Sequence, residues 1–244
     1  MRYLAFVSYD GSNYHGFQKQ ENVFTIQQKI ENAFKNMTQQ VVPIVSSGRT
    51  DKGVHAKRHP FHFDFPYDIE EKTFIEGLNK RLPLDIRIVS LKKVSDTFHA
   101  RYSVKKKKYT YVIAKHPSTA FTQRYEVYVK NFDIEKAKEA TTKLVGTHDY
   151  IAFTKLTKGK ETVRTVDSIV VRETSKHYQF IFTGKSFLRY MVRSMMGVII
   201  DIATHKKDID IIDRLFNEKN RLLASKTAEA RGLFLTNVYY KGVK

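Results

Sequence analysis

Apolar positions along the chain follow two rhythms, a strand-like alternation and a helical repeat, which take turns in both halves. Tyr3 to Tyr9 carries the first, and Ile26, Ile30, Ala33, Phe34 and Met37 then recur at helical spacing. Val41 to Val45 is a short β-branched run. Phe61 to Phe65 alternates apolar residues with His62 and Asp64, the pattern of a half-buried strand with a solvated face. Phe74 and Leu78 predict a helix, and Ile86 to Leu91 a strand. In the second half, Tyr109 to Ala114 reads as a strand. Ile134, Ala137, Thr141 and Leu144 form a helical stripe that Asp133 would cap. Val166 to Val171 and Tyr178 to Phe182 read as antiparallel strands joined through the polar Arg172 to Lys176. A long helix is predicted from Ser186, with Phe187, Met191, Met195, Val198 and Ile202 on one face. A short helix near Ile209 to Phe216 and a last strand, Leu233 to Tyr240, complete the series. Strands followed by single helices, in both halves, predict an α+β fold with a mostly antiparallel sheet.

Composition narrows the class. The 244 residues, 41% of them hydrophobic, can bury a substantial core. The 5 prolines and 11 glycines do not cluster, so no linker or low-complexity tract divides the chain. With no cysteine there is no disulfide, thiolate nucleophile or cysteine-ligated metal, which is compatible with a reducing cytoplasm. The first ten residues hold an apolar run too short for a signal peptide, and no run approaches the ~18 apolar residues of a membrane span.

Charge changes the picture more. Lysine and arginine total 43 against 25 acids, a net charge of +18, which is the footprint of a polyanion binder. The cations run through periodic segments, with 13% aromatic residues among them, rather than in a tail. That mixture favours structured RNA over a membrane surface. A basic protein with no nucleic-acid partner is the competing reading.

One segment departs from the patterning: Ser47-Gly48-Arg49-Thr50-Asp51-Lys52-Gly53-Val54-His55-Ala56. Gly48 and Gly53 allow a tight turn or close approach to a ligand. Asp51, flanked by Arg49 and Lys52, is expected to stay ionised if either cation comes within reach, and an ionised carboxylate can act as nucleophile or base. A turn with an Asx or capping hydrogen bond would look the same. No Walker phosphate loop occurs here, and no Gly-x-Ser-x-Gly elbow supplies a serine hydrolase. His55, His59 and His62 lie near Asp51 and Asp64, but their spacing matches no zinc signature, so no metal site is expected.

This segment resembles the Gly-Arg-Thr-Asp-x-Gly-Val-His-Ala signature of the TruA-type tRNA pseudouridine synthases. Collinear matches run along most of the chain: Tyr9-Asp10-Gly11, Tyr14-His15-Gly16-Phe17-Gln18, Thr25-Ile26-Gln27, Leu78-Asn79 with Leu82-Pro83, and Phe98-His99-Ala100-Arg101. Lys108-Tyr109-Thr110-Tyr111, Gly146-Thr147-His148-Asp149, Phe187-Leu188, Met191-Val192-Arg193, Gly197 and Gly232-Leu233 with Leu235 continue the series. After Ala56, Lys57-Arg58-His59-Pro60 stands where the family commonly shows Gln, and Ser225 to Arg231 lacks the usual prolines. These departures remove no catalytic group and would suit a paralogue with a different target.

The resemblance implies a fold of two similar α/β halves, with a mixed, largely antiparallel sheet core flanked by helices around a basic cleft. The halves would be 1–104, carrying the aspartate loop, and 105–244, carrying a stacking tyrosine and an arginine helix. It implies isomerisation of uridine to pseudouridine in the anticodon stem-loop of tRNA, positions 38 to 40, by a cytoplasmic homodimer that needs no cofactor or metal. The family's essential aspartate falls on Asp51, which would attack C1′, abstract the C2′ proton, or add at C6. Tyr109 matches the tyrosine that stacks on the target base, although a core aromatic would look identical. Arg193 matches the ion-pair partner of the aspartate, Arg49 the arginine that probes the space left by the flipped base, and Leu233 a pocket residue near the uracil. For Arg189, i−4 from Arg193 on the same helical stripe, a surface or phosphate contact is the better reading. Lys105, Lys106, Lys107 and Lys108 precede Tyr109 and would track phosphates into the site, extended by Lys57 and Arg58. The competing class is a non-catalytic RNA-binding protein or tRNA chaperone on the same scaffold, which would have no need of Asp51. A metal-dependent nuclease is a third.

Overall fold

Strand β1 (Arg2–Tyr9) opens the molecule, and almost every residue in it is buried, because strands pair with it on both sides. The structure, a computed structural model, describes residues 1–155 and 161–242. Helix α1 (Ile26–Thr38) follows, its first turn capped by the Thr25 hydroxyl and its Ile26, Ile30, Ala33 and Phe34 face buried. Then come β2 (Val45–Ser46), β3 (His55–Asp64), α2 (Glu71–Asn79), β4 (Ile86–Val94), β5 (Val104–Ala114) and β6 (Val127–Tyr128). The chain continues through α3 (Ile134–Lys143), β7 (Gly146–Asp149), β8 (Val163–Glu173), β9 (His177–Gly184), α4 (Met191–Ala203), α5 (Ile211–Glu218) and β10 (Leu233–Tyr240). The architecture is α+β with mixed, largely antiparallel pairing, as the alternating rhythms predict.

The chain forms two units, Met1–Lys105 with Phe234–Lys244, and Lys106–Leu233. In the first, β4, β1 and β3 pair antiparallel, β2 adds to β3, and β10 runs parallel to β3. The C-terminal strand therefore returns to the first unit, whereas the halves drawn from the sequence run 1–104 and 105–244. In the second unit β5, β9, β8 and β7 pair antiparallel in that order, with β6 parallel to β5. Asp133 caps α3 as expected, accepting from the Glu135 and Lys136 amides. No helix among the described residues is long and apolar enough to cross a membrane.

Several local expectations are corrected. The β-branched run from Val41 pairs only over Val45–Ser46. The strand read from Tyr109 begins at Val104 and takes in the lysine run, whose Lys107 and Lys108 face Gly184 and Thr183 across β9. The helix read from Ser186 begins at Met191, because Tyr190 takes a left-handed φ of 63° that no helix continues through. Arg189 consequently lies outside the helix, and its helical stripe with Arg193 does not form. Nor is α4 two-faced: its residues are buried nearly all round, Gly197 included.

Candidate active site

The loop carrying Asp51 joins β2 to β3, two strands that pair antiparallel through Val45–His62 and Ser46–Phe61. Its ends are fixed by the Ser47 amide donating to the Pro60 carbonyl at 3.0 Å and the Ser46 hydroxyl donating to the Gly48 carbonyl at 2.8 Å. At its tip the Val54 amide donates to the Asp51 carbonyl at 3.2 Å, closing a turn in which Gly53 adopts a φ of +77°. Arg49 and Lys52 are exposed, Asp51 is half-buried, and Thr50 between them is buried.

The segment leaving β1 backs this loop. The Tyr14 carbonyl accepts from the Gly53 amide, and the Thr50 carbonyl accepts from the Phe17 amide. Gly16 is required there: its φ is +91°, and a Cβ would stand 2.4 Å from the Thr50 carbonyl oxygen. The Tyr14 hydroxyl donates to Asp85 at 2.7 Å, and burial together with that carboxylate holds the phenol far above its usual range. Tyr14 is thus a neutral strut at any physiological pH.

The histidines near the loop are structural partners. His55, buried at the head of β3, stacks on Phe234 at 4.7 Å, accepts from the Gly11 amide and lies 3.1 Å from Asp10. His59 is fully buried with its Nδ1 2.9 Å from the Tyr9 hydroxyl, which is itself 2.8 Å from the Thr50 hydroxyl. His62 was expected on a solvated face with Asp64. Asp64 is exposed, but His62 is buried beneath Ala100, whose amide donates to its Nδ1 at 3.1 Å. Burial, reinforced by Arg2 and His99, lowers its pKa to about 4. Among the described residues no group of three or more His, Asp or Glu is placed to hold a metal ion. Lys57 and Arg58 sit where the β1–β3 register slips, Lys57 over the Phe234 ring at 5.9 Å and Arg58 over the Phe6 ring at 4.2 Å.

In the second unit, Tyr109 pairs with Phe182 in β9, and its half-buried ring meets Phe187 edge-on at 5.4 Å. Lys107 shares its face of β5, while Lys106 and Lys108 fall on the other, Lys106 reaching Asp167 at 3.8 Å. Lys105 and Lys106 are exposed. Two residues beyond Tyr109, Tyr111 is fully buried with its hydroxyl on the Glu229 carbonyl. Arg193 is half-buried in the first turn of α4, its Nε donating to the Ala228 carbonyl at 2.8 Å while the Ala228 amide donates to the Arg193 carbonyl at 3.0 Å. Its guanidinium also lies over the Tyr190 ring, on which the exposed Arg189 stacks as well. Leu233 is buried at the start of β10. Sequence reasoning did not mark Tyr9 or His59 as site residues: Tyr9 touches Thr50 from β1, and His59 touches Tyr9 from β3. Tyr9 enters the sequence reading only as part of a motif segment, and His59 only as one of three neighbouring histidines that match no zinc spacing.

Comparison with known proteins gives this arrangement its context. A family model described as tRNA pseudouridine synthase matches residues 5–103 and 140–241. The tRNA pseudouridine synthase A of Bacillus licheniformis is 41% identical over 247 residues, covering 98% of this chain and 99% of that one. Those of Phytoplasma mali and Aster yellows witches'-broom phytoplasma are 39% and 36% identical, each alignment covering 98% of both chains. Of the two matched blocks, the first contains the Asp51 loop with its backing segment and the second contains helix α4; Tyr109 and the lysine run lie between them. With both blocks in order and relatives aligned nearly end to end, this chain belongs to the tRNA pseudouridine synthase family.

Proposed function

We propose that Asp51 is the reacting carboxylate of this tRNA pseudouridine synthase, acting on the ribose of a flipped-out uridine in the anticodon stem-loop, positions 38 to 40. The activity is an isomerisation: the C1′–N1 bond breaks, C1′ joins C5 of the same base, the hydrogen on C5 is given up to solvent as a proton, and N1 takes up a proton in its place. Attack on C1′ and removal of the C2′ proton both require an ionised carboxylate beside the sugar. The observation that carries the reading is the collinear family match across a loop whose backbone is anchored on both sides of its one acid.

A uridine in a stem must leave its stack first, at a cost of a few kcal/mol, and an aromatic platform offsets part of this. Tyr109 is the proposed platform, and the edge-on Phe187 ring limits its freedom to turn. Arg193 and Leu233 are proposed uridine-site residues, and Arg49 is proposed to occupy the space the base vacates. Lys105 to Lys108, with Lys57 and Arg58, are proposed phosphate contacts, in keeping with a net charge of +18. The working form is proposed to be a cytoplasmic homodimer.

The test of target choice is to map pseudouridine along unmodified tRNA transcripts incubated with the protein. Pseudouridine at positions 38 to 40 supports the assignment. Pseudouridine elsewhere overturns the positions, and its absence from every transcript overturns the activity.

A further inference from the structure

The carboxylate of Asp51 can only be as well aimed as the backbone that presents it. Thr50, the residue before it, is held from two directions. Its carbonyl accepts from the Phe17 amide, and its hydroxyl sits 2.8 Å from the hydroxyl of Tyr9. That same tyrosine oxygen is 2.9 Å from Nδ1 of His59. All three side chains are buried: His59 is fully enclosed, and Tyr9 and Thr50 are below one-tenth exposed. Phe17 closes the group, its ring 4.2 Å from that of His59 and 6.2 Å from that of Tyr9.

Tyr9 reaches this position through an irregularity in the sheet. β1 and β3 pair in step from Arg2 to Val7, and the register then slips by one residue before Tyr9 meets Ala56. Such slips re-aim a side chain relative to the regular pleat, and they recur beside active sites. Here the slip lies shortly beyond Asp51 along the chain, and Tyr9 is the residue that it re-aims.

Hydrogen-bond chemistry makes the three groups one unit. Tyrosine and threonine each carry a single hydroxyl proton. If His59 Nδ1 accepts from Tyr9, the tyrosine has no second proton and its oxygen must accept from Thr50; in the other tautomer the ring N–H donates to the tyrosine oxygen, which leaves the tyrosine proton free for Thr50. With His59 Nδ1 as the acceptor, the direction of the Thr50 hydroxyl is set from β3 by way of β1. Removing any member leaves a buried polar partner to reorganise, so the loss is shared by all three.

We propose that Tyr9 and His59 are positioning residues for the reaction at Asp51, acting through the Thr50 hydroxyl to fix the turn that presents the carboxylate. The proposal rests on the reading of Asp51 as the reacting group. It assigns these side chains no contact with the substrate, so their removal acts on the chemical step and leaves RNA affinity in place. Misplacement of a reacting group by about 1 Å is enough to cost on the order of 100-fold in rate.

The experiment compares Tyr9→Phe, Thr50→Val, Thr50→Ser, the double variant Tyr9→Phe/Thr50→Val and Asp51→Asn with the wild type. Single-turnover rate at saturating enzyme, tRNA affinity and melting temperature are read for each. Tyr9→Phe and Thr50→Val are expected to slow turnover about 10- to 100-fold while tRNA affinity stays within a few-fold. The double variant should fall little below the slower single, because one chain of bonds has been cut twice. Thr50→Ser, which keeps the hydroxyl, should recover most of what Thr50→Val loses, and this pair decides the matter even if Tyr9→Phe folds poorly. A full-rate Tyr9→Phe, an additive double variant, or slower rates that merely follow weaker affinity and a lower melting temperature overturn the proposal. An active Asp51→Asn overturns the underlying reading and the proposal with it. An inactive Asp51→Asn beside a full-rate Tyr9→Phe overturns the proposal alone.

Discussion

Around Asp51 the side chains that fix the backbone are polar, buried and few: Tyr9, Thr50 and His59, with Tyr14 and Gly16 pressing from behind. Around Arg193 they are apolar and many. Met191, Met195, Met196, Val198 and Ile199 are each wholly buried, and Gly197 allows the Lys226 carbonyl to pass where a Cβ would stand 2.2 Å from it. Hydrogen bonds fix direction with little bulk, whereas packing fixes place through volume. Damage to the first region should therefore appear mainly in rate, and damage to the second mainly in stability.

The largest stability effect should follow from opening the apolar side. Met195→Ala is expected to lower the unfolding free energy by about 2–5 kcal/mol, because Met195 is wholly buried in a helix enclosed nearly all round. Denaturant unfolding measures this, and the single-turnover rate of the folded fraction should stay near that of the wild type. A variant that stays stable but turns over slowly would erase the contrast between the regions.

A smaller effect is expected from pH on the strand that carries the loop. His62 stays neutral in the folded protein down to about pH 4, whereas in the unfolded chain it takes up a proton near pH 6.5. Its contribution is full above the unfolded value and is lost as pH falls from about 6.5 towards 4, by about 2–3 kcal/mol in all. Unfolding titrations of wild type and His62→Gln should diverge across that window, with the variant flatter. Parallel curves would mean that His62 is not excluded from water as described.

The smallest effect concerns binding alone. Replacing Lys105 to Lys108 by alanine should leave the melting temperature nearly unchanged. It should also flatten the salt dependence of tRNA affinity by about 0.7–0.9 in log–log slope for each phosphate left without its lysine. An unchanged slope would place these lysines in solvent.

How far the sequence reveals all this depends on the range of the interaction. The first strand, the Asp133 cap of α3 and the last strand from Leu233 to Tyr240 are local patterns, and the structure reproduces them, with β1 buried at nearly every position rather than at alternate ones. The lysine run is hidden because four adjacent cations carry no strand signature, yet β9 pairs with two of them. The late start of α4 turns on one left-handed residue, Tyr190, and nothing in its side chain announces that conformation. His62 looks solvated by parity, but Ala100, 38 residues away, covers it. The Asp51 loop itself is legible because glycines and charges interrupt the apolar rhythm. The residues that aim it are not, since Tyr9 lies 41 positions from Thr50 and 50 from His59.

The central claim is that Asp51 carries the isomerisation of uridine, and one measurement reaches it directly: tritium release from tRNA containing 5-tritiated uridine, with wild type and Asp51→Asn side by side. C5 must surrender its hydrogen to become the glycosidic carbon, so release reports the reaction itself. The account predicts release by the wild type, none above background by Asp51→Asn, and tRNA affinities that agree within a few-fold. Release by Asp51→Asn at a rate comparable to the wild type would contradict it.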